Sequence, residues 1–469
     1  MLFVEPRFFA FFAVVLLVYW SLSSNSLRKN FILCASYVFY GSWDWRFAFM
    51  LLVLSTADWF FALRIVATEN LRTRKRYVTA SLAMNLSVLA FFKYVHFFVG
   101  SAIVLAEQMK LHLTQPTLKI ILPIGVSFFT FQSLSYTIDV YRREISPVKS
   151  LRDYLMFASF FPQLVAGPIV RPRYFVPQMH SVRSLTPDDA RRALYLFLLG
   201  FFKKTCIADN LSPYVDRVFQ HPAPFSAFAS ITATWLYAIQ IFCDFSGYSD
   251  MAIAVAALLG YKLALNFDAP YLAVSIQDFW RRWHISLTTW IRDYIYLSLG
   301  GRSKTNRLIT YRNILITMLA GGLWHGAAWT FVAWGGAHGT GQVVQQEFRR
   351  ALPLKEQQDR WRKPLGWFLT LNFVCLCWIL FRAPDFTTAL LMTKRYLLID
   401  RGGTEVIPLW LAGIGPALLL VQLLMRRLRV EERICALSLN WFALAYGAAW
   451  ALAVSLLPFG YRPFIYFQF

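Results

Sequence analysis

Long apolar stretches separated by short polar gaps run the length of the chain. Apolar runs near 8–24, 30–41, 46–67, 77–106, 118–138, 154–170, 191–208, 228–243, 250–265, 309–325, 327–345, 365–381, 407–425 and 436–458 each read as helical. About 20 mostly apolar residues are needed to cross a bilayer as a helix. Several of these runs are too short, or too interrupted by Gly and Pro, to cross alone. The pattern predicts an all-α polytopic integral membrane protein of roughly 10–12 transmembrane helices, with a few re-entrant or interfacial pieces. No hydrophilic stretch is long enough for a separate soluble domain, so residues 1–469 read as a single membrane domain. The first run, Phe8 to Trp20, follows Glu5 and Arg7 without a clear small-residue cleavage site, and reads as a retained helix.

Composition narrows the class further. The chain is 57% hydrophobic and 15% charged, with a mean hydropathy of +0.46, against about 45–50% and about 25% in soluble proteins. A soluble enzyme, a disordered tail and a nucleic-acid-binding domain are excluded, and lipid is the surrounding partner. The net charge of +22 sits in short gaps such as Arg72/Arg74/Lys75/Arg76 and Arg302/Lys304/Arg307/Arg312. Such gaps suit cytoplasmic loops facing anionic headgroups. The six cysteines are scattered through apolar sequence, with no CxxC and no zinc-like spacing.

Three segments depart from plain spans. Leu122–Gln132 carries Pro123 and Gly125, and 160–173 carries three prolines beside Gly167 and Gln163. Re-entrant segments and kinked structural helices serve equally for both. Asp244-Phe245-Ser246-Gly247-Tyr248-Ser249-Asp250 has two acids and two serines without a nearby histidine, and reads as a capping or helix-breaking turn.

Candidate chemistry concentrates in two places. Residues 278–294, DFWRRWHISLTTWIRDY, suit one helix, with Phe279, Trp283, Leu287, Trp290 and Tyr294 on an aromatic-aliphatic face and charge opposite. It is too polar to span lipid and fits the headgroup region, as an anchor or as the lining of an aqueous funnel. In 318–329, MLAGGLWHGAAW, His325 stands inside an otherwise uncharged membrane stretch. An ionisable group at that depth is expensive unless it faces a cavity or a partner, which makes it a functional candidate. The adjoining glycines leave room for a ligand, and Gly322–Gly326 equally fits helix packing. His338 would lie about 140° around a continuous helix from His325, too far to share its site, and suits structural hydrogen bonding. A buried neutral imidazole can act as general base on a hydroxyl. A hydroxyl deprotonated as it attacks a thioester gives an O-ester, which is acyl transfer within a membrane. Arg281, Arg282 and Arg292 suit phosphate or pyrophosphate groups.

FWRRWHISLTTWIRDYIY followed by GGLWHGAAWTF resembles the membrane-bound O-acyltransferase family, in the branch that O-acetylates bacterial exopolysaccharides such as alginate. LPIGVSFFTFQSLSYTIDVYR, LVAGPIVRP, QIFCDFSGYSDMAIA and the terminal FIYFQF share the likeness. The resemblance implies a ring of helices about a central tunnel, with His325 as the catalytic histidine and His284 as a second one lining the donor path. Trp280, Arg282, Trp283 and Asp293 would shape the donor entrance, and Trp324 would join them at the substrate. It further implies no bound cofactor or metal, an acetyl-CoA or other acyl thioester donor, and a bacterial inner-membrane location. A periplasmic or membrane-anchored SGNH-type O-acetyltransferase and the exopolysaccharide synthesis complex would be partners. In the tail, 464–469, Tyr466 is either a covalent acyl relay or an interfacial anchor. Two rivals stay open: transfer of D-alanine from a carrier protein to teichoic acid, and a non-enzymatic polymer transporter or scaffold.

Overall fold

The computed structural model describes residues 1–111, 120–165, 167–351, 362–458 and 460. Among the described residues the regular structure is helical, with a single isolated bridge between Phe225 and Glu405. Among the described residues five helices are long and apolar enough to cross a membrane: Trp45–Ala67, Leu71–Gln108, Ala227–Leu258, Lys363–Arg382 and Leu409–Arg427. The chain divides into two compact units, Met1–Ala193 with Ala252–Ala264, and Leu194–Met251 with Leu265–Phe469.

The first unit begins with α1 (Pro6–Ser21), α2 (Asn25–Gly41), α3 (Trp45–Ala67), α4 (Leu71–Gln108) and α5 (Val126–Tyr141). Leu51 and Leu54 of α3, Leu89 of α4, and Val126 and Phe129 of α5 share one apolar core. Asp58 of α3 is fully buried within this bundle, accepting from Ser81 Oγ at 2.6 Å and from Asn85 Nδ2 at 2.9 and 3.0 Å. These neutral donors satisfy a carboxylate that would otherwise be costly at that depth. Both Pro/Gly-bearing stretches are interrupted. Gly125 precedes α5 at φ 76°, where an added Cβ would stand 2.2 Å from the Leu164 carbonyl oxygen. The second stretch begins just after α6 (Leu151–Ser159) and includes the single turn α7 (Phe161–Leu164) and the start of α8 (Pro172–Met179). Gln132 and Gln163 both donate to the Phe157 carbonyl there, at 2.7 and 2.6 Å.

The second unit takes up the chain within α9 (Pro187–Phe201), which runs into a π-helical turn, Phe202–Ala208, and then α10 (Asp209–Gln220). The expected turn at 244–250 is corrected: α11 (Ala227–Leu258) passes through it unbroken and joins the two runs 228–243 and 250–265. The reason is charge pairing. Lys204 Nζ lies 2.6 Å from Asp244 and 2.7 Å from Asp209, and Lys203 Nζ lies 2.6 Å from Asp250. Matched by lysines from the π turn, both acids of α11 can stay inside a helix. Gly200 and Gly247 let the two backbones meet, since a Cβ on either would stand 2.5 Å from the other's carbonyl oxygen.

Further along come α12 (Ile276–Arg282), α13 (Ile285–Ile291), α14 (Arg307–His325), α15 (Trp329–Ala351) and α16 (Arg362–Arg382), then α17 (Phe386–Tyr396), α18 (Ile414–Arg427), α19 (Val430–Cys435) and α20 (Leu439–Ser455). α14 and α15 form a close hairpin. An added Cβ on Gly322 would meet the Phe331 carbonyl at 2.3 Å, and one on Gly335 would meet that of Met318 at 2.3 Å. Gly321 faces elsewhere, its Cβ meeting only Ile291 Cδ1 at 3.4 Å. Gly322 is thus a packing glycine. Gly322→Ala is expected to lower stability by about 1–3 kcal/mol, and Gly321→Ala to leave the melting temperature in detergent unchanged. Equal melting of the two variants would contradict this packing.

Candidate active site

The single helix expected over 278–294 is corrected to two helices with a corner between them. Trp283 N–H donates to the Phe279 carbonyl at 2.8 Å and closes α12. The next groups are claimed from outside: the Arg282 carbonyl accepts from Asp268 N–H, and Ile285 N–H donates to the Asn266 carbonyl, both at 2.9 Å. Asn266 Oδ1 also accepts from Ser286 N–H at 3.2 Å and from Ser286 Oγ at 2.9 Å. His284 consequently sits at φ 43°, ψ 55°, a left-handed conformation uncommon for a side-chain-bearing residue. After α13 the chain widens into a π turn, Arg292–Tyr296. The predicted apolar face survives the break, with Phe279, Trp283, Leu287, Trp290 and Tyr294 all buried.

His325 ends α14 and is 3% exposed. Aromatic rings enclose its imidazole: Trp324 at 4.9 Å between centroids, Trp334 at 5.0 Å, Phe381 at 5.2 Å and His284 at 6.5 Å. His284 is fully buried, with Phe245 against it at 4.6 Å, and burial pushes its pKa down to about 3, holding the ring neutral. The helix carrying His325 stops before α15, so the continuous wheel assumed for His338 does not apply. Both imidazoles instead pack on Trp334, and His338 Nδ1 accepts from Trp280 Nε1 at 3.3 Å. That is the structural hydrogen bond expected of His338.

A cavity of about 750 Å³ reaches His325, walled by Trp280, Ile285, Thr288, Ile291, Met318, Gly321 and Trp334. Arg281, Arg292, Arg302, Arg349 and Arg350 also line it, and among the described residues no acidic one does. Arg292 pairs with Asp293 at 2.8 Å and Arg350 with Glu347 at 2.5 Å. Among the described residues Arg281, Arg302 and Arg349 make no ion pair. The cavity therefore joins a surplus of positive charge to a buried imidazole, an arrangement suited to an anionic molecule carrying a reactive group at its uncharged end.

Of the residues picked from sequence, His325, Trp280, Arg281 and Arg292 line this cavity. His284, Arg282, Trp283, Asp293 and Trp324 stand behind the lining. Arg282 bonds to Asp278 at 2.9 Å, while Trp283 stacks on Phe279 at 5.6 Å and leans on Trp378 at 5.0 Å. Tyr466 lies outside the described residues. Arg302, Arg349, Arg350, Trp334, Gln342 and Gln346 line the cavity without having been picked. One signal was available: His338, Gln342, Gln346 and Arg349 recur at spacings of four, four and three, a polar stripe on one face of α15.

The chain is 40% identical to the probable alginate O-acetylase of Azotobacter vinelandii, over 83% of this chain and 76% of that protein. It is 40% identical to the probable alginate O-acetylase of Pseudomonas aeruginosa, over 83% and 73%. It is 35% identical to the peptidoglycan O-acetyltransferase of Helicobacter pylori, over 84% and 79%. The family described as membrane-bound O-acyltransferase matches residues 16–383. With its apolar spanning helices and a match over most of its length, the chain is an O-acyltransferase and belongs to the membrane-bound O-acyltransferase family.

Proposed function

We propose that this enzyme takes an acetyl group from a cytoplasmic thioester, acetyl-CoA, and delivers it across the bacterial inner membrane for O-acetylation of an exopolysaccharide such as alginate. The observation that carries this reading is the cavity with arginines along its wall and His325 at its buried end. The phosphate groups of the donor suit Arg281, Arg302 and Arg349, which leaves the thioester for the imidazole. His325 acts as general base. As the acceptor oxygen bonds to the thioester carbonyl carbon, its proton passes to the imidazole. Collapse then breaks the C–S bond, and the departing thiolate takes that proton. His284, neutral and behind the lining, supports the His325 pocket. The whole chain acts as one functional domain, with Tyr466 in its tail as the intermediate acceptor and a periplasmic SGNH-type transferase as the partner completing transfer to the polymer.

The test uses the full-length protein in lipid nanodiscs with radiolabelled acetyl-CoA and, separately, a D-alanyl carrier protein. Thiol release from acetyl-CoA alone is expected, and consumption of the D-alanyl donor alone would replace this reading with its rival. In the same assay Arg281→Ala combined with Arg302→Ala should raise KM for acetyl-CoA about a hundredfold or more, at about 1.5–3 kcal/mol per charged hydrogen bond, with little change in kcat. An unchanged KM would remove the arginines from the donor site.

A further inference from the structure

Gly321 and His325 both border the cavity and lie one turn, about 6 Å, apart on the same face of α14. Glycine within a helix is about 0.5–1 kcal/mol less favourable than alanine. Close packing accounts for the glycines around it. An added Cβ on Gly322 would collide with the Phe331 carbonyl, one on Gly326 with the Phe331 ring, and one on Gly335 with the Met318 carbonyl. Gly321 has no such reason. It sits in regular helix, and among the described residues its Cβ would meet only Ile291 Cδ1 within 4 Å, at an ordinary contact distance of 3.4 Å. Gly336 has similar room, with Leu319 Cδ2 at 3.6 Å, but stands off the cavity. Among the described residues that line the cavity, Gly321 alone lacks a side chain, and the rest are threonine or larger. The wall is therefore recessed by one side chain at the turn preceding His325, with Ile291 beside the recess.

A thioester carbonyl carbon carries an oxygen, the sulfur of the carrier arm and the acyl group. With the phosphates at the arginines and that carbon at His325, the carrier arm runs back toward the arginines. The acyl group is then the part left to fill the buried end. A carbon in the position of the absent Cβ would rest on Ile291 at van der Waals distance. We propose that the recess at Gly321 receives the acyl group of the donor, and that Gly321 and Ile291 are specificity-determining residues that limit its size. An acetyl methyl fits the space left by one missing side chain. Each further methylene has to displace Ile291 or press on the bulky wall formed by Met318, Trp280 and Trp334. The proposal rests on the reading of an acyl-CoA donor that reacts at His325.

The experiment supplies the full-length protein in nanodiscs with acetyl-CoA and propionyl-CoA together, so that the ratio of acyl groups transferred reads the ratio of the two kcat/KM values. Gly321→Ala is expected to lower propionyl use relative to acetyl about tenfold or more, the usual discrimination for one methylene. Ile291→Val removes Cδ1 and should shift the ratio the other way. The double variant should return to within about threefold of the unmodified protein, because the carbon added at 321 takes the space vacated at 291. If the unmodified protein consumes no propionyl-CoA, Ile291→Val is expected to gain that activity and the double variant to lose it again. Should Gly321→Ala not fold, Ile291→Val alone reads the recess. Equal slowing of both donors by Gly321→Ala would give the recess to the carrier arm and overturn the proposal. A ratio unmoved in every variant, or no propionyl use in any, overturns it as well. Two failures stay distinct. If acetyl-CoA is consumed and the ratio stays fixed, the proposal alone falls; if the unmodified protein consumes neither thioester, the donor reading falls and takes the proposal with it.

Discussion

Acyl transfer by His325→Ala is expected to fall by about 10²–10⁴-fold, the usual contribution of a positioned general base. Donor affinity should stay close to that of the unmodified enzyme. The separation follows from where the groups stand. His325 is at the buried end of the cavity, while the arginines proposed to hold the donor come from α12, the π turn after α13, the loop at 302 and the end of α15. Alanine removes the imidazole without touching those cations. A loss in kcat with an unchanged donor dissociation constant, measured by titration calorimetry and steady-state kinetics on one nanodisc preparation, is the expected pattern. Turnover within tenfold of normal would remove His325 from the chemistry.

The second large effect concerns stability. Lys204 is 1% exposed and bonds to two carboxylates, Asp209 and Asp244. Lys204→Met keeps the side chain's length and removes its charge, taking from two buried acids the lysine they share. Breaking a buried pair by removing one partner costs about 3–5 kcal/mol, and here one lysine serves two partners. The variant should express poorly and melt well below the unmodified protein. Adding Asp244→Asn and Asp209→Asn should recover much of the loss, because the penalty lies in the abandoned charges rather than in lost attraction. A Lys204→Met protein that melts normally would mean the acids are solvated in the folded state.

These particular residues show why the sequence is readable in some places and opaque in others. Long apolar runs are a local property, and they located α3 and α16 to within three residues and α4 and α18 to within seven. The aromatic face of 278–294 is also local, and its buried members were read correctly. The break at Trp283–His284 is not local. Nothing in 278–294 carries a helix-breaking residue, and the hydrogen bonds that end α12 come from Asn266 and Asp268, more than a turn of sequence away. The unbroken course of α11 through Asp244 and Asp250 fails for the same reason, since the lysines that neutralise them lie some forty residues earlier. His325 was legible because an ionisable group in an apolar stretch is conspicuous by itself. Arg349 and Arg350 were hidden at the polar end of a run, where a basic residue reads as a loop marker.

The arginine wall has a kinetic consequence. With the proposed donor, acetyl-CoA, these side chains would hold the part that the reaction leaves unchanged: the spent thiol would keep every phosphate and lose only the acetyl group. Contacts that hold substrate and product alike contribute nothing to the chemical step, and they slow departure of the product. Occupancy of the cavity by that donor would then reflect the ratio of acetylated to free carrier in the cytoplasm more than the amount of either. Polymer acetylation by such an enzyme would rise and fall with the acetyl charge of the cell.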